Sequence, residues 1–165
     1  MDYLKPLNGA SKTNTFNNMA QEKHYKYAIG IDTGVHTGYA VWDIEKQQLI
    51  ECTTLQIDEA MEEIKEINQT YDAQNYYIVV IEDARLRKFF KGENMAAKQQ
   101  GAGSIKRDAK IWEDFLTRLG IDFKLVNPTS QKTKITDEYF KKISKYEGRT
   151  SNHARDAAML VLGYK

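Results

Sequence analysis

Three carboxylates and one histidine occupy positions from which they could bind a metal ion together. Asp32 follows a short apolar run that is typical of a buried strand, and Glu82 ends a second run of this kind. His153 and Asp156 are three residues apart in a segment with helical periodicity, so they share one helix face. Because clustered carboxylates repel one another, such a group calls for a divalent cation, and Mg²⁺ prefers oxygen ligands of this kind.

The chemistry of such a group depends on how the strands are ordered. Asp32 and Glu82 meet at one edge only if their strands are neighbours, and a terminal helix crossing that edge would add His153 and Asp156. Two Mg²⁺ ions about 3.5–4 Å apart can then activate a water molecule and stabilise the leaving oxygen in phosphodiester cleavage.

Each of these residues also has an ordinary structural explanation. Glu82 would form a surface ion pair with Arg85 or Arg87. Asp156 would be a first-turn acid that the helix dipole favours, and His153 would stand beside the helix cap. The metal-site hypothesis therefore rests on the whole set and not on any single member.

Three glycines, Gly30, Gly34 and Gly38, are spaced four residues apart around Asp32. Glycine permits backbone shapes and close approaches that a Cβ atom would block. An alternating run from Gly38 to Trp42 then indicates a hairpin partner for the first strand. The pattern predicts a carboxylate at a strand end, beside a tight turn, with room for another group to approach.

The elements that must position these residues follow the order β-β-β-α-β-α-β-α-α. We expect an α/β fold with a mixed five-stranded sheet, in which an antiparallel meander of three strands is joined by two parallel strands and flanked by helices. The predicted strands cover 26–32, 37–43, 49–57, 76–81 and 121–126. Apolar stripes predict helices from Ile57 to Tyr71 and from Ile105 to Leu119, a short helix capped by Thr136, and a final helix over 150–163.

A length of 165 residues predicts one domain over 25–165, preceded by a polar, flexible arm over 1–24. The single cysteine, Cys52, excludes an intrachain disulfide and is expected to be a packing residue in a reducing compartment. No apolar run approaches the roughly 20 residues of a membrane span, and the N-terminus lacks a secretory core, so we expect a cytoplasmic protein with no membrane partner.

Charge is segregated along the chain although the net charge is only +1. Residues 43–74 hold nine acids and two lysines, whereas 83–110 hold eight lysines and arginines and three acids, and 124–149 hold seven and three. Solvated helix faces would give the same pattern, but basic segments beside an acidic site are also the footprint of a phosphate-binding surface. The residues expected to bind DNA are Arg85, Arg87, Lys88, Phe89, Phe90, Lys91, Lys106, Arg107 and Lys134.

Four motifs together resemble the RuvC-type Holliday-junction resolvases of the RNase H-like superfamily. They are Ile29–Gly34 with Thr37–Ala40, Val80–Glu82, the stretch from Asn127 and Pro128 to Lys132, and His153–Ala158. The resemblance covers about residues 26–163. Many members of the superfamily share the first motif, whereas the ordered set of Asp, Glu and terminal His-x-x-Asp-Ala is more specific.

The resemblance implies an RNase H-like fold and a homodimeric, Mg²⁺-dependent endonuclease that nicks opposed strands of a four-way DNA junction. Asp32, Glu82, His153 and Asp156 would be its catalytic metal-site residues, holding two Mg²⁺ ions for which Mn²⁺ can substitute. Lys132 matches a basic residue that contacts the region of the scissile phosphate. The small size suits a phage or mobile-element member of the family.

Some features keep other functions open. The aromatic residue with which the family probes the junction lies closer to the glutamate than Phe89 or Phe90 do here. These two could stack on unpaired bases or could belong to a core or dimer interface. A nuclease acting on flap or other branched DNA, or a non-catalytic junction-binding relative, is therefore an alternative.

Two unrelated classes share only a short motif with the chain. Asp32-Thr33-Gly34 spells the catalytic triplet of aspartic proteases, but such an enzyme would leave the later acids and the long helical patterns unexplained. The glycine-spaced hairpin resembles the first phosphate loop of actin-like ATPases. Those proteins need two such domains, and 165 residues are too few for both.

Overall fold

The described part of the chain forms five strands and four helices. In the computed structural model, residues 23–71, 76–83, 85, 95–128 and 135–165 are described, the side chains of 95–105 excepted. The strands are β1 (Tyr27–Asp32), β2 (His36–Asp43), β3 (Gln48–Gln56), β4 (Tyr77–Glu82) and β5 (Phe123–Val126). The helices are α1 (Ile57–Thr70), α2 (Met95–Leu119), α3 (Asp137–Ser144) and α4 (Asn152–Val161).

All five strands belong to one sheet, in the order β3-β2-β1-β4-β5. The pairs β1–β2 and β2–β3 are antiparallel, whereas β1–β4 and β4–β5 are parallel. The predicted mixed sheet, a meander of three strands extended by two parallel strands and flanked by helices, is confirmed. β1 and β4 are direct neighbours, with Ile31 opposite Ile81, so the strands that end in Asp32 and Glu82 lie side by side.

Each face of the sheet carries its own hydrophobic core, because successive side chains of a strand point to opposite faces. On one face, Ile29 and Ile31 pack with Ile64 of α1 and Trp112 of α2. On the other face, Ala28 and the alternate residues of β2 and β4 pack with α3 and with the small side chains of α4. By this alternation, Gly30 and Asp32 of β1 also lie on the α4 face.

Helix α4 lies unusually close to the sheet. A methyl group placed on Gly30 would overlap the carbonyl oxygen of Ala157, and one on Gly38 would overlap the carbonyl oxygen of His153. Gly34 differs, since a Cβ atom there would meet only the carbonyl oxygen of His36, at an ordinary 3.5 Å. Two of the three spaced glycines therefore allow the backbone of α4 to rest on β1 and β2.

Hydrogen bonds at the helix ends explain where the elements depart from their predicted limits. Ile121 was expected to open β5, but its N–H donates to the carbonyl of Leu116 and closes α2 around Gly120, whose φ is +68°. Ser151 caps α4 by accepting from the N–H of Ala154, which starts the helix at Asn152. The expectation that Asp156 is a first-turn acid is therefore wrong, since it lies in the second turn.

The first described residues contact the loop before β5. Lys23 Nζ lies 2.7 Å from the Oδ2 of Asp122, and the hydroxyl of Tyr25 donates to the same oxygen at 3.1 Å. The predicted N-terminal arm lies outside the described residues as far as residue 22. Among the described helices, none combines the length and the apolar character needed to cross a lipid bilayer.

Candidate active site

One contact joins the end of β1 to the first turn of α4. His153 Nδ1 lies 2.9 Å from Asp32 Oδ2, although the two residues are 121 positions apart in the chain. The Asp32 side chain is 18% exposed and that of His153 is 54% exposed, so the pair stands at the surface with its carboxylate partly shielded. The close approach of α4 to Gly38 fixes the backbone of His153 at this edge.

This contact distinguishes the two ring nitrogens of His153. An ionised Asp32 only accepts hydrogen bonds, so the 2.9 Å contact favours a proton on Nδ1. In the neutral ring, the lone pair then resides on Nε2. A carboxylate that holds the opposite nitrogen in this way is the usual arrangement behind a histidine that binds a metal or accepts a proton.

Glu82 ends β4 at the same edge. Because Ile31 stands opposite Ile81 in the parallel pair, the following residues, Asp32 and Glu82, leave the sheet side by side. The hydroxyl of Thr33 donates to the carbonyl of Glu82 at 3.4 Å, which ties the loop after β1 to the end of β4. Strand alternation places Glu82 on the α4 face, the face on which Asp32 meets His153.

Asp156 lies one turn further along α4 than His153 and is half-buried. Its neighbour Arg155, to which the sequence interpretation assigned no role, fixes the start of this helix. Its guanidinium donates to the carbonyl of Thr150 at 2.9 Å, to that of Ile135 at 3.1 Å and to the amide oxygen of Asn152 at 2.6 Å. Sequence reasoning could not identify this role, because the acceptors lie outside the His153–Ala158 motif.

Asp32, Glu82 and His153 therefore lie at one edge of the sheet on the α4 face, and Asp156 lies one turn further along α4. Within the described segments, no three or more His, Cys, Asp or Glu side chains are grouped so that they could hold a metal ion. The metal-binding role of Asp32, Glu82, His153 and Asp156 stays a prediction.

Arg85, predicted to bind DNA or to pair with Glu82, binds two other carboxylates. Its guanidinium lies 2.8 Å from Asp83 Oδ2 and 2.7 Å from Glu113 Oε2, and so joins the end of β4 to α2. Burial opposes ionisation of Asp83, but the hydrogen bonds from Arg85 outweigh it and lower the pKa of this carboxyl. The sequence could not reveal Glu113 as a partner, because 28 residues separate it from Arg85.

The other predicted DNA contacts divide into two groups. Lys106 and Arg107 are exposed on α2, where they are accessible to a phosphate backbone. The remaining ones lie outside the described residues, as does the predicted catalytic Lys132: they are Arg87, Lys88, Phe89, Phe90, Lys91 and Lys134.

Cys52 has the packing role that the sequence suggests. Its thiol is buried on β3 and donates to the carbonyl of Ala154 at 3.3 Å. Burial raises the pKa of the thiol to about 12, so it is not a nucleophile at neutral pH.

No family model and no curated protein matches the chain.

Proposed function

We propose that the protein is a metal-dependent endonuclease that resolves four-way (Holliday) DNA junctions by symmetric nicking. Support comes chiefly from the 2.9 Å contact between Asp32 and His153 at the edge where β4 also ends in Glu82. A contact between residues 121 positions apart brings together two of the four motifs on which the resemblance to RuvC-type resolvases rests.

The residues at this edge have the donor chemistry of an Mg²⁺ site. Carboxylate oxygens of Asp32, Glu82 and Asp156, with Nε2 of His153, would hold two Mg²⁺ or Mn²⁺ ions. When bound, these ions would activate the attacking water and stabilise the leaving oxygen.

The chain itself would contribute orientation and charge. Asp32 holds the ring of His153 so that Nε2 carries the lone pair and faces away from the carboxylate. Exposed Lys106 and Arg107 would bind phosphates of the junction arms without reading sequence. A second copy of the chain would provide the opposed active site, because symmetric nicking requires two.

The test is strand-resolved cleavage of a synthetic four-way junction in Mg²⁺, compared with a duplex, a flap and an RNA–DNA hybrid of matched sequence. Paired, symmetric nicks confined to the junction would support a dimeric resolvase. Cleavage of the flap or hybrid instead would retain the metal site but assign the protein to the wider RNase H-like nucleases.

A metal chelator separates catalysis from binding alone. A resolvase should lose cleavage in EDTA and recover it when Mg²⁺ or Mn²⁺ is restored. Junction binding without cleavage of any substrate in either ion would contradict the enzymatic proposal and indicate a non-catalytic binding protein.

A further inference from the structure

A cavity of about 290 Å³ opens on the face of the sheet opposite Asp32. It lies between the strands of the meander and α1, and aliphatic side chains complete its walls. Its most distinctive feature is a set of five tyrosines that come from β1, β2, β4 and the ends of neighbouring elements: Tyr27, Tyr39, Tyr71, Tyr76 and Tyr77.

Three of these rings form a packed aromatic wall. Tyr71 and Tyr76 stack with ring centroids 4.4 Å apart, and Tyr27 meets Tyr76 edge-on at 5.5 Å. The wall already attracts a cation, since Lys26 Nζ lies 5.4 Å from the ring centroid of Tyr27 and 5.7 Å from that of Tyr76. Aromatic faces stabilise ammonium and guanidinium groups in this way.

Two carboxylates line the same cavity, Glu51 from β3 and Glu63 from α1. Partial burial raises the pKa of the Glu51 carboxyl, and the negative charge of Glu63 raises it further. Neither carboxylate forms an ion pair with any residue in the described part of the chain. The two negative charges therefore share a cavity whose lining includes no lysine or arginine, and the Lys26 ammonium lies against its tyrosine wall.

Tyr39 provides an independent sign that a ligand belongs here. Its side chain is buried, with the residue only 1% exposed, yet it lines the cavity. Its hydroxyl makes no hydrogen bond to any residue that the structure describes. Among the described residues, the fully buried polar side-chain atoms without a partner are Asp43 Oδ2 and Trp112 Nε1, so the Tyr39 hydroxyl is open to the cavity, where it can accept a hydrogen bond from an N–H donor.

We propose that this cavity binds a small organic cation, namely an aliphatic amine or guanidine. Its charged head lies between Glu51 and Glu63, within reach of the tyrosine faces and the Tyr39 hydroxyl. Its alkyl chain covers the apolar rim, where Ile50 and Tyr71 are exposed. A bare divalent metal would find too few oxygen ligands among these rings and aliphatic walls.

The site is separate from the candidate active site. Tyr27 and Ile29 line the cavity, and they point to the face of β1 opposite Asp32. Its existence does not depend on whether the protein cleaves DNA.

The direct test is calorimetric titration of the full chain with putrescine and with agmatine, which present an ammonium and a guanidinium head. The neutral control is 1,4-butanediol, which has the length of putrescine without its charge. We expect saturable binding of one or both cations and none of the diol. Equal binding of the diol, or no saturable binding of either cation, would overturn the proposal.

Variants locate the binding. The double substitution Glu51→Gln and Glu63→Gln should weaken binding of the cation about tenfold or more, because both charges opposite the ligand are lost. Tyr39→Phe should weaken it by a smaller factor. Glu66→Gln removes the same charge from an exposed position of α1 outside the cavity and should leave affinity unchanged. Thermal unfolding of each variant verifies the fold, and an equal loss of affinity in Glu66→Gln would show that the cation binds by general charge attraction.

Discussion

At the residue scale, the contact between Asp32 and His153 depends on the negative charge of the Asp32 carboxylate. Asn in place of Asp32 keeps the size of the side chain but removes the negative charge that orients the ring and that would attract a metal ion. We predict that Asp32→Asn lowers the rate of Mg²⁺-dependent junction cleavage by about a hundredfold or more. Junction binding should remain, because phosphate contacts elsewhere supply it.

Single-turnover cleavage and fluorescence anisotropy measure these two quantities separately. Asp58→Asn is the matched control, since it removes an exposed carboxylate in the first turn of α1. Undiminished cleavage by Asp32→Asn would contradict the assignment of this residue to the active site.

The lowered carboxyl pKa of Asp83 predicts how the stability of the fold changes with pH. Arg85 lowers its carboxyl pKa below the unperturbed value of about 3.9. A lowered folded-state pKa contributes stability that is present above the unfolded pKa and is lost as the pH falls through the folded one. Asp83→Asn should therefore cost about 1–3 kcal/mol at neutral pH, and the deficit should shrink as the pH falls below about 4.

Urea unfolding at pH 6 and pH 3 tests this dependence. Asp114→Asn is the control, because Asp114 is exposed and its ion pair with Lys110 contributes little. A deficit for Asp83→Asn that is the same at both pH values would show that Arg85 does not stabilise the ionised carboxylate.

At the element scale, the close packing of α4 on the sheet determines where His153 lies. A methyl group at Gly38 would overlap the carbonyl oxygen of His153, so Gly38→Ala must displace the first turn of the helix. We predict a loss of about 1–3 kcal/mol in unfolding free energy, together with slower cleavage. Gly34→Ala is a close control, because its Cβ atom would meet only an ordinary contact at 3.5 Å.

Chemical unfolding and junction cleavage, measured on both variants, would separate packing from catalysis. Equal stability of the two alanine variants would mean that the α4 backbone is not held by Gly38.

Elements with strong local patterns could be predicted from the sequence, whereas partners that are distant in the chain could not. The apolar runs that end at Asp32 and Glu82 are β1 and β4, and the small residues of α4 do pack on the sheet. Local pattern gave no information on Glu113 as a partner of Arg85, because tertiary packing alone brings them together.

The tyrosine cavity was missed for the same reason. Its rings are separate apolar positions of β1, β2 and β4 in the sequence, each already explained by core packing. Only the neighbouring placement of β1 and β4, with α1 across them, brings them to one site.

At the scale of the whole molecule, the segregated charge has a spatial counterpart. The acidic helix α1 packs on the face of the sheet opposite the one where Asp32 meets His153. Five of the nine acids of 43–74 belong to this helix, so much of the negative charge of this segment lies away from the candidate active site. Helix α2, which carries the exposed Lys106 and Arg107, packs on the same face as α1, so these two cations do not lie on the α4 face.

The exposed cations Lys106 and Arg107 predict a steep salt dependence of junction binding. Each phosphate neutralised by a cation contributes about 0.9 to the slope of log K against log salt concentration. Replacing exposed Lys106 and Arg107 with alanine should therefore reduce the slope by about two, because both contacts are lost.

Lys65→Ala is the control, since Lys65 lies on α1 and pairs with Glu62 at 2.5 Å. Anisotropy titrations in EDTA at several salt concentrations provide the slopes. A flat response in the unaltered protein would exclude phosphate contacts as the source of binding, whereas an unchanged slope in the double variant would exclude Lys106 and Arg107 alone.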